Sequence, residues 1–207
     1  MRRKLLLASL AVLVMAACQA AQPPGQSPTG GAPTEIDRAF IDMMVPHHQS
    51  AIEMARLALE RAEHAALREM ADSVIAEQQR EIDELRGWRQ AWFGSADTPP
   101  MSAMPLMPGM EMPGMPGHAG GTMDMTVDIE TLRSAETFDR SFLELMINHH
   151  RSAIVAAEIA QRDSDVPEVH TLAGQIIASQ QAEIDQMAGW LQEWYAVSPE
   201  PTAHGMP

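Results

Sequence analysis

The sequence is poor in cysteine, in lysine and in basic charge as a whole, and each shortage excludes something. Cys18 is the only cysteine, so no disulfide can form within the chain. Lys4 is the only lysine, and 28 acidic residues stand against 14 basic ones, which gives a net charge of −14. An acidic chain repels nucleic-acid phosphates and attracts cations. We therefore expect metal ions, and not nucleic acid, as partners.

The N-terminal apolar run is too short to span a bilayer. It covers Leu5–Met15, follows three basic residues and precedes two alanines and Cys18, a pattern typical of a secretory signal. The string Met-Ala-Ala-Cys that ends at Cys18 resembles a bacterial lipobox. We expect residues 1–17 to be a signal peptide and Cys18 to carry a lipid. That lipid would anchor an exported protein to a membrane of the bacterial cell envelope, facing the periplasm or the exterior; an ordinary signal peptide with an incidental cysteine is the alternative.

The rest of the chain carries one helical pattern twice, at a constant offset of 102 residues. Such repetition indicates an internal duplication, and apolar residues spaced three and four apart predict helices in both copies. Each copy divides into two helices, with turns near residues 61–65 and 163–167. The residues that recur include Phe40, Met44, His47, His48, Gln78 and Glu81, matched by Phe142, Met146, His149, His150, Gln180 and Glu183.

Two helical hairpins predict an all-α fold, an antiparallel four-helix bundle. The bundle domain is expected over residues 34–197, after a flexible tether at residues 18–33 that is rich in Pro, Gly and Gln. Its parts are hairpin one at 34–93, a Met-rich linker at 94–127 and hairpin two at 128–197. Residues 198–207 form a loose tail.

The cluster repeated in both copies is Met-x-x-His-His. Ferritin-like carboxylate bundles hold iron or manganese with Glu-x-x-His pairs, and no Glu-x-x-His occurs in this sequence. Met-x-x-His stands at that spacing instead, in both copies. Thioether and imidazole favour soft metals, so Cu(I) is the leading candidate, Ag(I) the second, and no organic cofactor is expected.

Helical spacing turns His48 and His150 towards the bundle core. A polar residue at the same height on the paired helix could orient each ring, as partners of ligating histidines do. The bland alternative is that the histidines only pack and bond to nearby carboxylates. Counting outward from a turn near residue 63 places Gln78 at the height of His48, with Glu81 at the edge of the same stripe. Gln180 stands opposite His150 in the same way, with Glu183 beside it.

His47 lies at the edge of the apolar stripe, near Met43 and Met54 at helical spacing. We interpret it as the better-exposed ligand candidate. The second copy has Leu145 and Ala156 in place of the two methionines, so the two halves need not bind metal equally.

The linker between the hairpins contains methionine every two or three residues, among prolines and glycines. Such a segment cannot form a helical core stripe, so we expect flexible, exposed thioethers that capture Cu(I) or Ag(I) weakly. A low-complexity segment, or one that docks another protein, is the alternative. Its candidate ligands are Met101, Met104, Met107, Met110, Met112, Met115 and His118.

Residues 40–55 followed by Gln78-x-x-Glu81, and residues 142–157 followed by Gln180-x-x-Glu183, resemble the family catalogued as domain of unknown function 305. The resemblance implies an exported ferritin-like four-helix bundle, with copper-binding and copper-tolerance roles for some members. It makes the repeated cluster the leading ligand set: Met44, His47, His48, Met146, His149 and His150.

The expected function is capture of Cu(I), and of Ag(I), for copper tolerance, storage or delivery in the cell envelope. A copper-handling protein is a candidate partner, and the oligomeric state stays open. The sequence has no recognisable nucleophile constellation or phosphate-binding loop, so we expect no enzyme. The alternatives are a redox-active metal-bundle enzyme and a metal-free interaction module that docks through the Met-rich linker.

Overall fold

The computed structural model describes residues 30–110, 118–119 and 122–197. The predicted lipidation site Cys18, the ligand candidates Met112 and Met115, and the side chain of His118 lie outside the described residues. None of the described helices is long and apolar enough to cross a membrane.

Five helices account for most of the described chain, which confirms the all-α fold. They are α1 (Glu35–Arg61), α2 (Ala65–Phe93), α3 (Thr126–Ser134), α4 (Phe138–Asp163) and α5 (Pro167–Tyr195). Three two-residue strands in the linker were not expected: β1 (Met104–Pro105), β2 (His118–Ala119) and β3 (Thr122–Met123). They pair antiparallel in the order β1-β3-β2.

The start of α5 and the end of α2 follow local sequence signals. Pro167 stands at the start of α5, where a missing N–H costs nothing and the fixed φ suits a helix. Gly94 follows α2 with a φ of 82°, a left-handed conformation in which glycine meets no steric penalty.

The separate helix α3 was not predicted, because the helical pattern predicted one continuous helix from residue 128 to the turn of hairpin two. The guanidinium of Arg61, at the end of α1, donates to three carbonyls at the end of α3, those of Leu132 (3.0 Å), Arg133 (2.6 Å) and Ala135 (2.7 Å). A cation is stabilising at a helix C-terminus. This contact joins residues about seventy positions apart, so no local signal carries it.

Helices α1 and α4 form the centre of the fold, and each packs against its own hairpin partner, α2 or α5. They run antiparallel: Asp37 at the start of α1 accepts a hydrogen bond from Ser164 at the end of α4, while Arg61 meets the chain just before α4. The two hairpins are thereby related by an approximate two-fold axis that crosses the α1–α4 contact.

Each hairpin holds the turn of the other with one buried aspartate. Asp139 accepts from the backbone N–H groups of Glu63 and His64 (2.9–3.1 Å) and from His64 Nδ1 (2.7 Å). The His64 ring stacks on Trp194 with centroids 3.7 Å apart. Asp37, the matching residue, binds Ser164, whose hydroxyl accepts from the N–H of Val166 at 3.0 Å.

The described part of the linker packs against α1, so the expectation of exposed thioethers is wrong for most of it. Five methionines there are buried in the same hydrophobic cluster as Phe40 and Met43, and Met101 packs against that cluster half-buried. A segment without helical periodicity can still bury apolar side chains when short strands pair its backbone groups. The five are Met104, Met107, Met110, Met123 and Met125.

We predict that Asp139→Ala lowers the free energy of unfolding by about 1–3 kcal/mol, because it leaves three partly buried donors without an acceptor. Urea denaturation of the variant measures this. Asp72→Ala, which removes an exposed carboxylate on α2, is the control and should stay within about 0.5 kcal/mol of the parent. Equal midpoints for the two variants would contradict the role given to Asp139.

Candidate metal centre

Four imidazole rings lie close together where α1 packs against α4, at the approximate two-fold axis. His47 and His48 come from α1, and His149 and His150 from α4; all are 0–2 % exposed. The ring centroids of His47 and His149 lie 3.8 Å apart, and those within each His-His pair lie 6.1 Å apart. We call these four side chains the histidine quartet.

His47 was predicted to be the better-exposed histidine, and this is wrong. Its side chain is completely buried, because α4 packs along the side of α1 that carries it. The edge of an apolar stripe on one helix becomes interior when a second hairpin covers that edge.

Two serines bridge the central helices and set the protonation of His47 and His149. Ser152 Oγ donates to the carbonyl of His149 and lies 2.7 Å from His47 Nε2. Ser50 Oγ donates to the carbonyl of His47 and lies 2.7 Å from His149 Nε2. Each hydroxyl has one hydrogen, which it donates to the carbonyl. The proton in the bond to the ring must therefore sit on the histidine Nε2.

Two carboxylates do the same for the outer histidines. Glu81 Oε2 lies 2.6 Å from His48 Nε2, and Glu183 Oε2 lies 2.6 Å from His150 Nε2. A carboxylate only accepts, so Nε2 carries the proton here too. The carboxylates are 14 % and 16 % exposed and link the buried rings to the surface.

The sequence-based prediction gave Gln78 and Gln180 the leading part in orienting the inward histidines, and this is wrong. Both glutamines are buried, but the partner of each ring is the glutamate three residues later. Gln78 Oε1 and both side-chain polar atoms of Gln180 have no hydrogen-bond partner among the described residues. One helical turn separates the two residue types, which is less than the error of counting outward from a turn.

Sequence reasoning missed the roles of Ser50 and Ser152. Both lie three residues after the first histidine of their copy, and both recur at the 102-residue offset. That recurrence was a usable signal. Their partners lie on the opposite helix, however, so their function depends on the antiparallel register of α1 and α4.

The Nδ1 atoms are what the quartet offers to a ligand. None of the four has a hydrogen-bond partner within the described ranges. A proton on any of them would be a buried donor with no acceptor, which is costly. Each Nδ1 therefore carries a lone pair, while Nε2–H is held by a carboxylate or a hydroxyl, the arrangement found around metal-ligating histidines.

Burial keeps the inner pair neutral. It lowers the pKa of His47 well below 6.5, and the positive charge that His149, His48 or His150 carries when protonated lowers it further. Burial also lowers the pKa of His149, with His150 and His48 adding to the effect. Neutral imidazole is the form that binds metal, so the site needs no deprotonation near pH 7.

Methionine sulfur lies one helical turn before the quartet in both halves. Met44 and Met146 are buried, four residues before His48 and His150, on the same helix faces. Met43 has the same relation to His47. Met54 packs in a second cluster with Phe142 and Met146. Across the described ranges, no three His, Cys, Asp or Glu side chains are already gathered as a metal site.

We predict that the metal-free protein loses stability as the pH falls below about 6.5. The pKa values of His47 and His149 are lowered in the folded state, so the unfolded chain binds more protons below about pH 6.5. This proton uptake stabilises the unfolded state, and the free energy of unfolding falls. The measurement is the melting temperature between about pH 7.5 and pH 5. His47→Gln/His149→Gln should flatten this dependence, whereas His170→Gln, outside the quartet, should keep it. If the melting temperature of the double variant depends on pH as that of the parent does, the pH dependence does not come from His47 and His149.

Comparison with known proteins gives a family and a set of similar structures. The family model for a domain of unknown function (DUF305) matches residues 37–191, with a second match at residues 149–206. The chain is similar to CopM in its Cu(II)-bound form, with 42 % identity and a TM-score of 0.63, over 77 % of this chain and 97 % of that one. For CopM in its Cu(I)-bound form the identity is 39 % and the TM-score 0.60, over the same shares.

A third similar structure is a "putative secreted protein DUF305" from Streptomyces coelicolor. It has 28 % identity and a TM-score of 0.64, over 80 % of this chain and 98 % of that one. A search of curated protein sequences found no significant match. Since the family model spans both hairpins and the quartet between them, the chain belongs to the DUF305 family.

Proposed function

We propose that this chain is an exported copper-binding protein that holds Cu(I), or Ag(I) in its place, at the histidine quartet. The observation that carries the proposal is the set of four buried Nδ1 atoms without a hydrogen-bond partner among the described residues. Groups of that kind are expensive to bury unless something binds them. A metal ion supplies what all four lack.

The chemistry of the surroundings favours a soft ion. The ligand candidates are imidazole nitrogens and the thioethers of Met44 and Met146, and no carboxylate of the described residues bonds to an Nδ1 atom. Imidazole with thioether suits Cu(I), whereas magnesium, calcium and manganese prefer oxygen. The rings of His47 and His149, 3.8 Å apart, come from different helices, so an ion shared by them would join the two halves of the bundle.

The surrounding hydrogen bonds fix which nitrogen binds. Ser50 and Ser152 hold the inner rings, while Glu81 and Glu183 hold the outer ones, each through Nε2. Nδ1 is then the nitrogen that each ring leaves for a metal ion. The carboxylates also fix the orientation of the His48 and His150 rings as ligands.

Binding is favoured over catalysis by the closure of the centre. With the four rings 0–2 % exposed, a bare ion is the kind of species that could reside among them, and a larger substrate would need the bundle to open. We therefore assign the protein to copper tolerance, storage or delivery, and delivery would require a copper-handling partner protein. A redox-active metal enzyme is the competing function, and sustained turnover of Cu(I) to Cu(II) by the loaded protein would favour it.

Export and anchoring are part of the same proposal. The N-terminal pattern up to Cys18 resembles a lipoprotein signal, and one similar DUF305 structure is described as a secreted protein. CopM was solved with Cu(I), Cu(II) and Ag bound, which supports this choice of metals. A lipid on Cys18 would hold the bundle at the envelope membrane, where incoming copper ions are met first.

We predict that His47→Gln/His149→Gln weakens Cu(I) binding at the quartet by at least about tenfold, the equivalent of about 1.4 kcal/mol. Competitive titration against a chromophoric Cu(I) chelator measures it. The matched control is His64→Gln/His170→Gln, which removes two histidines that lie outside the quartet. If the quartet variant and the control bind Cu(I) as the parent does, the proposed function is wrong.

A second prediction concerns the carboxylates. Glu81→Gln/Glu183→Gln should lower Cu(I) affinity by about 10–100-fold without changing the number of ions bound, because it weakens the hydrogen bonds that orient His48 and His150. The same titration reads it, with exposed Glu193→Gln as the control. A loss of whole equivalents would instead make the glutamates ligands, and no change would leave them as packing residues.

A further inference from the structure

The two copies differ in burial on one face of their central helices, where the linker packs on α1. Met43 is completely buried and Pro46 is buried, whereas their counterparts in α4 are half-buried Leu145 and exposed Asn148. Strand β1 of the linker packs against α1. The difference therefore marks the face of α1 that the linker covers, and the matching face of α4 lacks such a cover.

Two buried methionines of the linker are paired in the sheet whose first strand packs on this face. Met104 in β1 and Met123 in β3 are direct partners in the antiparallel sheet, and both are buried. Side chains of such a pair lie on the same side of the sheet, with Cβ atoms about 4.5–5.5 Å apart. Both belong to the hydrophobic cluster that contains Met43.

Backbone hydrogen bonds close the segment around this pair. The N–H of Met125 donates to the carbonyl of Met101 at 2.9 Å, and the N–H of Met110 donates to that of Met107 at 3.0 Å. The described part of the linker is thus held by backbone hydrogen bonds, with most of its methionine side chains buried.

Packing alone does not account for the choice of methionine here. The second copy fills the position of Met43 with leucine, Leu145, where no linker covers it. Sulfur occurs at this position in the copy that faces other buried sulfurs. Thioether sulfur is a soft, uncharged ligand that selects Cu(I) and Ag(I), and it has little affinity for hard cations.

We propose that Met43, Met104 and Met123 form a second metal site, made of sulfur alone, for one Cu(I) or Ag(I) ion between α1 and the linker sheet. It is separate from the histidine quartet and excludes Cu(II) and Zn(II), which the imidazoles accept. The choice of Cu(I) or Ag(I) as the bound ion rests on the proposed function, whereas the choice of residues does not. Met43 stands one helical turn from His47, about 6 Å along α1, so the two sites are neighbours on one helix.

The test compares Ag(I) binding by the parent protein, one triple variant and one double variant. Met43→Leu/Met104→Leu/Met123→Leu conserves side-chain volume and should lose one equivalent of Ag(I) in competitive titration. Met70→Leu/Met187→Leu removes two methionines that are buried in the other hydrophobic cluster and should lose none. Thermal melting of the metal-free variants checks that both remain folded.

A second readout follows the sulfurs themselves. In protein labelled with methyl-¹³C methionine, Ag(I) should shift the methyl signals of Met43, Met104 and Met123, while Met70 and Met187 stay in place. Zn(II) should shift none of the five. These signals respond to ion binding even if sulfurs elsewhere in the chain also take Ag(I).

The outcomes separate this site from the quartet. If the triple variant keeps every Ag(I) equivalent and the three methyl signals do not move, the sulfur site is wrong, whatever the quartet binds. If His47→Gln/His149→Gln binds Cu(I) normally while the triple variant loses its Ag(I) equivalent, the quartet proposal fails and the sulfur site stands. A Zn(II) shift of the three methyl signals would overturn the claim of selectivity.

Discussion

The contact between α1 and α4 is the constraint on which the rest depends. Two reciprocal hydrogen bonds, His47 to Ser152 and His149 to Ser50, cross the approximate two-fold axis at 2.7 Å each. Each serine spends its own proton on the carbonyl of the histidine one turn earlier, so the register of the two helices and the protonation of the rings are set by the same atoms. A shift of one turn would break both bonds and leave two buried imidazole N–H donors without an acceptor, which explains why the halves pack in one arrangement.

The two halves of the bundle are nearly symmetric, but they differ where the linker packs on α1. The quartet and its glutamates are the same in both halves, as expected of a duplication that preserved the residues around the axis. The linker breaks the symmetry, because a single segment joins two hairpins and can cover only one of two equivalent faces. Methionine at position 43 and leucine at position 145 follow that division. The proposed histidine ligands therefore lie on the axis, and the proposed sulfur site lies to one side of it.

The predictable part of the structure is the part carried by local patterns. Apolar spacing and the repeated cluster identified two hairpins, their turns and the inward direction of His48 and His150. Counting residues from a turn brought Gln78 to the height of His48, yet the bond is made by Glu81, since one turn of error exchanges neighbouring residues on a stripe. His47 was judged more exposed for a related reason: a stripe on one helix does not reveal how much of its edge a second hairpin covers. The Pro- and Gly-rich linker carries no periodicity at all, so its buried methionines had no signal in the sequence.

What the sequence determined by itself is the chemistry and the repetition: thioether and imidazole where a carboxylate bundle has glutamate, written twice at one offset. Those facts depend on residue identity and helical spacing alone, which are local. The tertiary structure decided which atoms remain for a ligand. Only the antiparallel approach of α1 and α4 joins His47 to Ser152, and only the pairing of α1 with α2 joins His48 to Glu81, leaving Nδ1 as the open nitrogen in every ring. These contacts span 33 to 105 residues, and long-range pairings of that kind are set by how whole helices pack.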